Sequence, residues 1–160
     1  MIKIDLVVIG KIKEAYILEG VSEYGKRMQK YCQLSIQELK EIKISDNPKP
    51  SEIHEVQYRE SEMMLPYAKK SGFCIATSPQ GKIVDSIEFA QILNNPIQKG
   101  QMPITFFIGG SYGLSRQIFD CVNEVMSFSK MTFPHQLFRL ILLEQIYRAF
   151  KIINRETYHK

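Results

Sequence analysis

Apolar runs that alternate with segments of helical periodicity limit the possible folds of this chain more than any other feature. Each run is rich in β-branched and aromatic residues and has the length of a buried strand. The runs are "IKIDLVVI" at 2–9, the alternating stretch around Leu34 and Ile36, "GFCIAT" at 72–77, "PITFFI" at 103–108 and "EVMSFS" at 124–129. Helical patterns lie between them, which favours an α/β domain with a mainly parallel sheet and helices on both faces. A length of 160 residues suggests a single domain covering 1–160.

The helical segments carry start and stop signals. Apolar residues recur at helical spacing over 14–31, and Ser51 is a candidate N-cap for the next helix, which Pro66 should kink or end. Asp85 and Glu88 form a capping-box pattern for a third helix, which should end near "NNP". The turn "SPQGK" should follow the strand "GFCIAT".

Three loops that follow predicted strands have unusual chemistry: "TSPQGK", "GGSYGL" and "SKMTFP". In parallel sheets, ligands bind outside the carboxyl ends of the strands, so these loops are the candidate ligand site. The glycine loop lacks a complete G-x-G-x-x-G pattern, and no Gly-Lys-Ser/Thr follows it, so neither a dinucleotide site nor a P-loop is indicated. A tight turn with a purely structural role is the alternative interpretation.

The last predicted helix runs from about Pro134 to about Ile153 and is apolar on more than one side. Such a helix is buried on several sides, either as a central core helix or against a second copy of the chain. Glu144 and Arg148 lie within it at i,i+4 spacing, where an ordinary surface ion pair is one interpretation and a functional pair is the other.

Two further features near the ends of this helix are open to interpretation. His135 and Arg139 form a second i,i+4 pair, and His135 suits packing or capping as well as function. Tyr158 and His159 lie at the terminus, where residues usually fray. Alternatively, these two rings fold over a pocket and grip a nucleic-acid base.

The composition excludes several classes of protein. No apolar run approaches the ~20 residues that span a bilayer, so no membrane partner is expected. Cys32, Cys74 and Cys121 are far apart and form no CxxC, which indicates free thiols in a reducing cytoplasm and no metal site. The net charge is +4, and residues 111–160 hold seven Lys and Arg against four Asp and Glu, which weakly favours an anionic partner.

Three segments, "FFIGGSYGL", "SFSKMTFPHQLFRLILLEQIYRAFKI" and the ending "YHK", resemble one known family. It is the family of small SPOUT-class methyltransferases that modify N3 of a pseudouridine in bacterial large-subunit ribosomal RNA. The resemblance implies a C-terminal trefoil knot that binds S-adenosylmethionine, and an obligate homodimer. It also implies methylation of pseudouridine 1915 of 23S rRNA in the assembled ribosome.

The resemblance also implies which residues form the sites. Those expected to bind the cofactor are Thr77, Gly109, Phe128, Ser129, Lys130, Met131, Thr132 and Phe133. Those expected to form the methyl-acceptor site, partly across the dimer, are Glu144, Arg148, Tyr158 and His159. Thr77 and Pro79 stand where the family usually has bulky aliphatic residues, which implies a more polar or differently shaped adenine pocket. The absent side chains of Gly109 and Gly110 would let backbone groups reach the methyl donor.

Methylation of N3 requires loss of the N3 proton, because N3 is nucleophilic only as that proton leaves. Glu144 or His159 is expected to take the proton: Glu144 as orienter or proton acceptor and His159 as base or contact to the edge of the nucleobase, with the two roles exchangeable. Arg148 would hold a phosphate or stabilise a developing oxygen anion. The competing hypothesis is a non-catalytic α/β domain that binds a nucleotide or RNA.

Overall fold

The computed structural model describes residues 1–160 and contains one five-stranded sheet. Its elements in chain order are β1 (Ile2–Ile9), α1 (Ala15–Met28), β2 (Cys32–Leu39), α2 (Pro50–Lys70), β3 (Phe73–Ile83), α3 (Ser86–Gln98), β4 (Ile104–Ile108), α4 (Arg116–Phe119), β5 (Glu124–Ser127) and α5 (His135–Ile153). The strand order is β2-β1-β4-β3-β5, and every neighbouring pair is parallel. The predicted parallel α/β architecture is therefore confirmed.

Helices cover both faces of the sheet. The strand β1 supplies Leu6 and Val8 to a large core with α1, α3 and α5, and it supplies Val7 to a smaller core with α2 and α4. All three side chains are fully buried. Because successive residues of a strand point to opposite faces, the continuous apolar run of β1 is what a strand buried on both sides requires.

Two helices contain a proline at or near the position where the sequence predicted a kink or an end. The helix α2 continues through Pro66 to Lys70, and α3 continues through Pro96 to Gln98. A proline removes one backbone hydrogen bond, but α2 buries Met64 completely, and Pro96 is itself buried. Tertiary packing thus outweighs the local penalty at both positions: Pro66 does not end α2, while α3 ends at Gln98, close to the predicted end near "NNP".

Two predicted boundaries also differ in the structure. The N-cap of α2 is Lys49, not Ser51, and the side chain of Glu52 accepts a hydrogen bond from the Lys49 backbone N–H at 3.4 Å. The segment "SPQGK" is not a turn after β3 but part of it, where the pairing with β5 shifts register between Thr77 and Lys82. The capping box of Asp85 and Glu88 at the start of α3 is confirmed.

The helix α5 is a core helix that packs against α1 and α3. Its residues Leu142, Leu143 and Ile146 have no exposed surface. The core interpretation of its apolar sides is therefore confirmed, while contact with a second copy remains a prediction. None of the helices combines the length and the apolar character that crossing a membrane requires.

Arg139 has a structural role that its pairing with His135 did not indicate. Its side chain is 1% exposed and donates hydrogen bonds to the backbone oxygens of Ile9, at 2.6 Å, and Gly10, at 2.7 Å. It also forms an ion pair with Glu38 at 3.0 Å. Arg139 thus ties α5 to the carboxyl ends of β1 and β2, and it satisfies carbonyl oxygens that the sheet leaves unpaired.

Candidate active site

A cavity of about 850 Å³ lies at the carboxyl ends of β3, β4 and β5. All three segments that the sequence singled out contribute residues to its lining, although the first of them belongs to β3. Parallel strands end at the same edge of a sheet, so loops far apart in the sequence meet there. The volume is within the range of roughly 300–1,000 Å³ that is typical of small-molecule sites.

Seven of the eight residues predicted to bind a cofactor line this cavity. They are Thr77, Gly109, Phe128, Ser129, Met131, Thr132 and Phe133. Lys130 is not among the lining residues, although it lies between two of them. Gln57, His135 and Phe138 also line the cavity and were not predicted to do so. Spacing alone does not indicate them, because α2 and α5 reach the cavity only through the packing of the whole fold.

The glycine loop folds back on itself. The Gly113 N–H donates to the Gly110 oxygen at 3.0 Å, and the two residues form an isolated antiparallel bridge. A Cβ on Gly109 would lie 2.7 Å from the Cα of Gly113. A glycine at 109 is thus required by the shape of the loop itself, and the approach of the loop backbone to the methyl donor stays a prediction.

Polar side chains of α2 form hydrogen bonds with the backbone of this loop and of the residue that follows it. Gln57 donates to the Tyr112 oxygen at 2.5 Å, and the Ser61 hydroxyl accepts from the Ser115 N–H at 3.0 Å. The Glu60 carboxylate is 4% exposed, and its Oε1 atom would lie 2.9 Å from a Cβ on Gly110. These α2 residues share one face at helical spacing, a signal in the sequence that was missed.

Burial changes the protonation of two groups near the cavity. It raises the pKa of Glu60, although the hydrogen bond from the Ile42 N–H acts in the opposite direction. Burial also lowers the pKa of His135, and the nearby Arg139 guanidinium lowers it further. The Nε2 atom of His135 is buried without a hydrogen-bond partner. The cavity wall therefore favours the neutral imidazole at this position.

The segment after β5 is shaped by its own serines. The Ser127 hydroxyl donates to the Ser129 oxygen at 2.7 Å, and the Ser129 hydroxyl accepts from the Met131 N–H at 3.0 Å. Phe128 packs against the rings of Phe89 and Phe138, each with a centroid distance of 5.3 Å. The side-chain bonds shape the loop, and the aromatic contacts fasten it to α3 and α5.

The hydroxyl group of Thr77 forms its hydrogen bond within the sheet. The residue is 8% exposed, and its hydroxyl donates to the Phe107 oxygen in β4 at 3.1 Å. The hydroxyl is therefore used within the sheet. This contact gives a physical reason why threonine is accommodated at a position where an aliphatic residue was expected.

The four residues predicted to form the acceptor site lie in one hydrogen-bonded cluster. The Glu144 carboxylate accepts from Arg148 Nη2 at 2.5 Å and from the Tyr158 hydroxyl at 3.1 Å. Arg148 Nη1 lies 3.2 Å from His159 Nδ1, and its guanidinium carbon lies 4.8 Å from the Tyr158 ring centroid. The terminal residues are thus packed against α5, and the expectation of a frayed end does not describe Tyr158.

The acceptor cluster and the cavity do not share residues. None of the four cluster residues is among those that line the cavity of the same chain. Burial, together with hydrogen bonds involving Tyr24 and Glu144, raises the pKa of Tyr158, so its hydroxyl stays protonated and acts as a donor. Within one chain, the cluster is an organised surface site beside the last turns of α5.

The fold and the cavity together define a parallel α/β protein with a small-molecule site at the carboxyl ends of its strands. The chain belongs to the SPOUT methyltransferase family, since the family described as "Predicted SPOUT methyltransferase" matches residues 2–159. This confirms the resemblance seen in the sequence and, with it, S-adenosylmethionine as the methyl donor. The cavity fits such a donor in size, and its apolar side chains and loop backbone suit an adenosine and an amino-acid moiety.

Curated relatives match nearly the whole chain. The "Ribosomal RNA large subunit methyltransferase H" of Clostridium botulinum strain Hall is 45% identical over 157 residues, covering 98% of this chain and 99% of the relative. The protein of the same name from Carboxydothermus hydrogenoformans is 46% identical over 158 residues, covering 99% of both chains. The chain is therefore similar to these relatives in length as well as in sequence.

Solved structures support the fold alone. A probable methylase family protein from Haemophilus influenzae Rd KW20 has a TM-score of 0.55 at 12% identity, covering 98% of this chain and 70% of that one. A putative methylase family protein from Neisseria gonorrhoeae has a TM-score of 0.53 at 10% identity, covering 99% and 86%. Both likenesses agree with the parallel α/β architecture.

Proposed function

We propose that this protein transfers a methyl group from S-adenosylmethionine to N3 of pseudouridine 1915 in 23S rRNA, on the assembled ribosome. The observation that carries the proposal is the hydrogen-bonded cluster of Glu144, Arg148, Tyr158 and His159. It combines a planar cation, an imidazole and a phenol, groups that recognise the edge and face of a base. The printed names of the curated relatives support ribosomal RNA as the substrate.

The cavity residues would hold the donor, which supplies an electrophilic methyl group on a sulfonium. In this proposal Thr77, Gly109 and the segment 128–133 surround the donor. Within that segment, Lys130 does not line the cavity. The serine-shaped segment and the glycine loop are held by internal hydrogen bonds, so the site is largely formed in advance. Such preorganisation lowers the entropy that binding must overcome.

Hydrogen-bond accounting favours an orienting role for Glu144. A carboxylate offers about four lone-pair sites. Glu144 accepts from Arg148 Nη2 and Nε, from Tyr158 and from Gln145 Nε2. With these sites engaged, Glu144 is poorly placed to remove a proton and well placed to hold Arg148 and Tyr158. The sequence left open whether Glu144 orients its neighbours or accepts the proton, and we assign it the orienting role.

The same accounting determines the tautomer of His159. A guanidinium can only donate, so His159 Nδ1 is the acceptor in its contact with Arg148. The neutral ring then carries its proton on Nε2 and presents a donor. We therefore assign His159 a hydrogen bond to a carbonyl oxygen beside N3, rather than the role of base.

In this mechanism the N3 proton passes to solvent, and the negative charge that develops on the adjacent oxygens is stabilised. His159 Nε2–H and the Arg148 guanidinium are the donors for that charge. The N3–CH₃ bond forms as the methyl–sulfonium bond breaks, and the reaction releases one proton overall. Alignment of the two reactants supplies much of the rate, since effective molarities of well-oriented groups reach ~10⁵–10⁸ M.

A second chain would bring the cluster and a cavity together. Because the four residues do not line the cavity of their own chain, the proposal requires a homodimer in which the terminal residues of one protomer approach the cavity of its partner. It also includes a trefoil knot formed by the C-terminal part of the single domain 1–160. Ribosomes are cytoplasmic, so the protein would act in the cytoplasm, where folded rRNA compensates for a net charge of only +4.

Two measurements test the proposal. Calorimetric titration with S-adenosylmethionine should show binding, and Gly109→Val should abolish it while the thermal transition of the variant remains cooperative. Ribosomes from a strain without the modification, incubated with labelled cofactor, should carry the label on N3 of the predicted pseudouridine. Binding without transfer would support the non-catalytic alternative, and label at another nucleotide would leave the enzyme class standing but reject the substrate.

Deletion of Tyr158–Lys160 tests the acceptor site separately. We expect unchanged cofactor affinity and a loss of transfer of at least about 100-fold, because the deletion removes two proposed contacts to the base. Unchanged transfer would remove the terminal residues from the mechanism.

A further inference from the structure

The last five residues are fastened to the body of the protein by Glu156, a residue to which the proposed mechanism assigns no role. One oxygen of its carboxylate, Oε2, accepts from the Tyr31 hydroxyl at 2.6 Å, from Lys151 Nζ at 2.7 Å and from Lys30 Nζ at 3.1 Å. Two of these donors follow α1 and lie more than a hundred positions away in the sequence. The contact therefore joins the C-terminal residues to a distant element.

The backbone turns sharply just before Glu156. Arg155 adopts a φ of 56°, in the left-handed region where glycine is usual. The turn allows the Glu156 N–H to donate to the Lys151 oxygen at 2.8 Å, and the Asn154 side chain donates to the Phe150 oxygen, also at 2.8 Å. A non-glycine residue in this conformation persists only where surrounding contacts hold it. The three bonds to Glu156 are such contacts.

The donors themselves are fixed by aromatic packing. Tyr31 stacks on Phe150 with a centroid distance of 5.2 Å and an interplanar angle of 4°. Lys30 Nζ and Lys151 Nζ lie 4.7 Å and 5.9 Å from the Tyr31 ring centroid. The Lys151 side chain is only 15% exposed. Lys151 is consequently engaged within the protein, whereas Lys30 holds Glu156 from an exposed position, with 59% of its side chain accessible.

Glu156 lies two residues before Tyr158, whose ring packs edge-on against Tyr147 at 5.0 Å. Between the turn at Arg155 and His159 the chain has no helix or strand to hold it. The direction in which Tyr158 and His159 leave the body is thus set by the Glu156 contacts on one side and the Glu144–Arg148 pair on the other.

We propose that Glu156 is a positioning residue. It accepts hydrogen bonds from Lys30, Tyr31 and Lys151, and it thereby orients Tyr158 and His159 toward the methyl-acceptor nucleotide. The inference rests on the proposed function, because it assigns Glu156 a role through those two residues. Its expected signature is a loss of the transfer step with cofactor binding retained.

The first test compares Glu156→Ala and Glu156→Gln in transfer to unmodified ribosomes at saturating cofactor. We expect Glu156→Ala to lower kcat by about 10-fold or more, since displacement of a positioned group by ~1 Å can cost up to 10²-fold. Glu156→Gln keeps an acceptor for Tyr31 but loses the charge that holds both lysines, so its kcat should be intermediate. Cofactor Kd should remain within about twofold in both variants.

Glu55→Gln is the matched control, because it breaks an exposed ion pair with Arg59 that has no link to the terminal residues. Its kcat should match that of the wild type, as exposed i,i+4 pairs contribute little. A kcat for Glu156→Ala equal to that of this control would overturn the inference.

The second test measures release of the terminal residues directly and does not depend on activity. Trypsin can cleave after Arg155 and so free residues 156–160. In the double variant Lys30→Met/Tyr31→Phe the cleaved sequence is unchanged, but two of the three donors to Glu156 are lost. We expect cleavage at this bond, followed by mass spectrometry, to accelerate about 10-fold or more relative to the wild type, in proportion to the population of the open form. An unchanged cleavage rate would contradict the inference.

The two proposals fail in different ways. If Glu156→Ala is fully active while deletion of Tyr158–Lys160 is inactive, the positioning role of Glu156 is wrong and the acceptor site stands. If both are fully active, the proposed acceptor site is wrong as well.

Discussion

At the scale of single residues, the partner that each polar group finds within the fold decides what that group can do. Glu144 has its lone pairs engaged, so it orients its neighbours. The Thr77 hydroxyl is bonded to the Phe107 oxygen, so the polarity of this side chain is used inside the sheet. Residue type alone indicates neither conclusion, since both depend on the partner that the fold supplies.

Thr77→Val tests this use of the hydroxyl. The substitution keeps the shape but removes the donor to Phe107, so the free energy of unfolding should fall by about 1 kcal/mol. Affinity for S-adenosylmethionine should change less than about twofold, because the hydroxyl is not available to a ligand. Urea denaturation and calorimetry measure the two quantities. A large loss of affinity with stability retained would show that the hydroxyl contacts the cofactor instead.

Glu60→Gln tests the protonation of the buried carboxyl beneath the glycine loop. The raised pKa of Glu60 means that, from about pH 4.5 up to that pKa, the folded state holds a proton that the unfolded state has lost. Stability of the wild type should therefore fall as the pH rises through this window. Glu60→Gln should lack this decline and be more stable than the wild type above it.

Thermal unfolding of both proteins between pH 4 and pH 8 measures the difference. Glu62→Gln is the control, since Glu62 is an exposed neighbour on the same helix. If the stability of Glu60→Gln and that of the wild type depend on pH in the same way, burial does not raise the pKa of Glu60 as described above.

At the scale of elements, helix α5 organises both sites. Its first turns carry His135 and Phe138 to the cavity, and its last turns carry Glu144 and Arg148 to the acceptor cluster. Between them Arg139 bonds to the ends of β1 and β2. The position of one helix therefore sets the relation between the two sites.

Arg139→Met tests the attachment of α5 to the sheet. It leaves the Ile9 and Gly10 oxygens without their donor and removes the partner of Glu38, so it should destabilise the protein by about 3 kcal/mol. Chemical denaturation measures the change. Arg139→Lys is the matched variant, and it should recover part of the loss, because an ammonium retains the charge but not the planar fork. A loss below about 0.5 kcal/mol for Arg139→Met would mean that these contacts contribute little.

At the scale of the whole molecule, the separation of cavity and acceptor cluster makes a second chain part of the proposed site. A mixed dimer tests this arrangement. One protomer carries Gly109→Val, and the other lacks Tyr158–Lys160, so each homodimer should be inactive. If the terminal residues act across the interface, the mixed dimer has one intact site and should show about half of the wild-type activity.

The mixed dimer is obtained by co-expression with two different affinity tags, and transfer to unmodified ribosomes is measured. No activity in the mixed dimer, with cofactor still bound by the truncated protomer, would place both parts of the site in the same chain.

The sequence by itself determined the class of fold and the location of the cavity. Apolar periodicity is a local property, so it predicted the five strands, the four longer helices and the three segments that line the cavity beside β3, β4 and β5. The capping box at Asp85 was equally local and equally correct. Proline was a weaker local signal: α2 continues past Pro66, where burial of neighbouring residues outweighs the intrinsic preference of proline, and α3 ends at Gln98, just past Pro96.

Only the tertiary structure decided which distant groups meet. Arg139 bonds to carbonyl oxygens about 130 positions earlier, and Glu156 bonds to Lys30 and Tyr31 at a similar separation. No spacing rule predicts such pairs, because hydrogen bonds form between groups that are close in space and the chain path between them is set by the packing of the sheet and its helices. The reason for the glycine at 109, a contact with the backbone of Gly113, likewise appears only once the loop has folded.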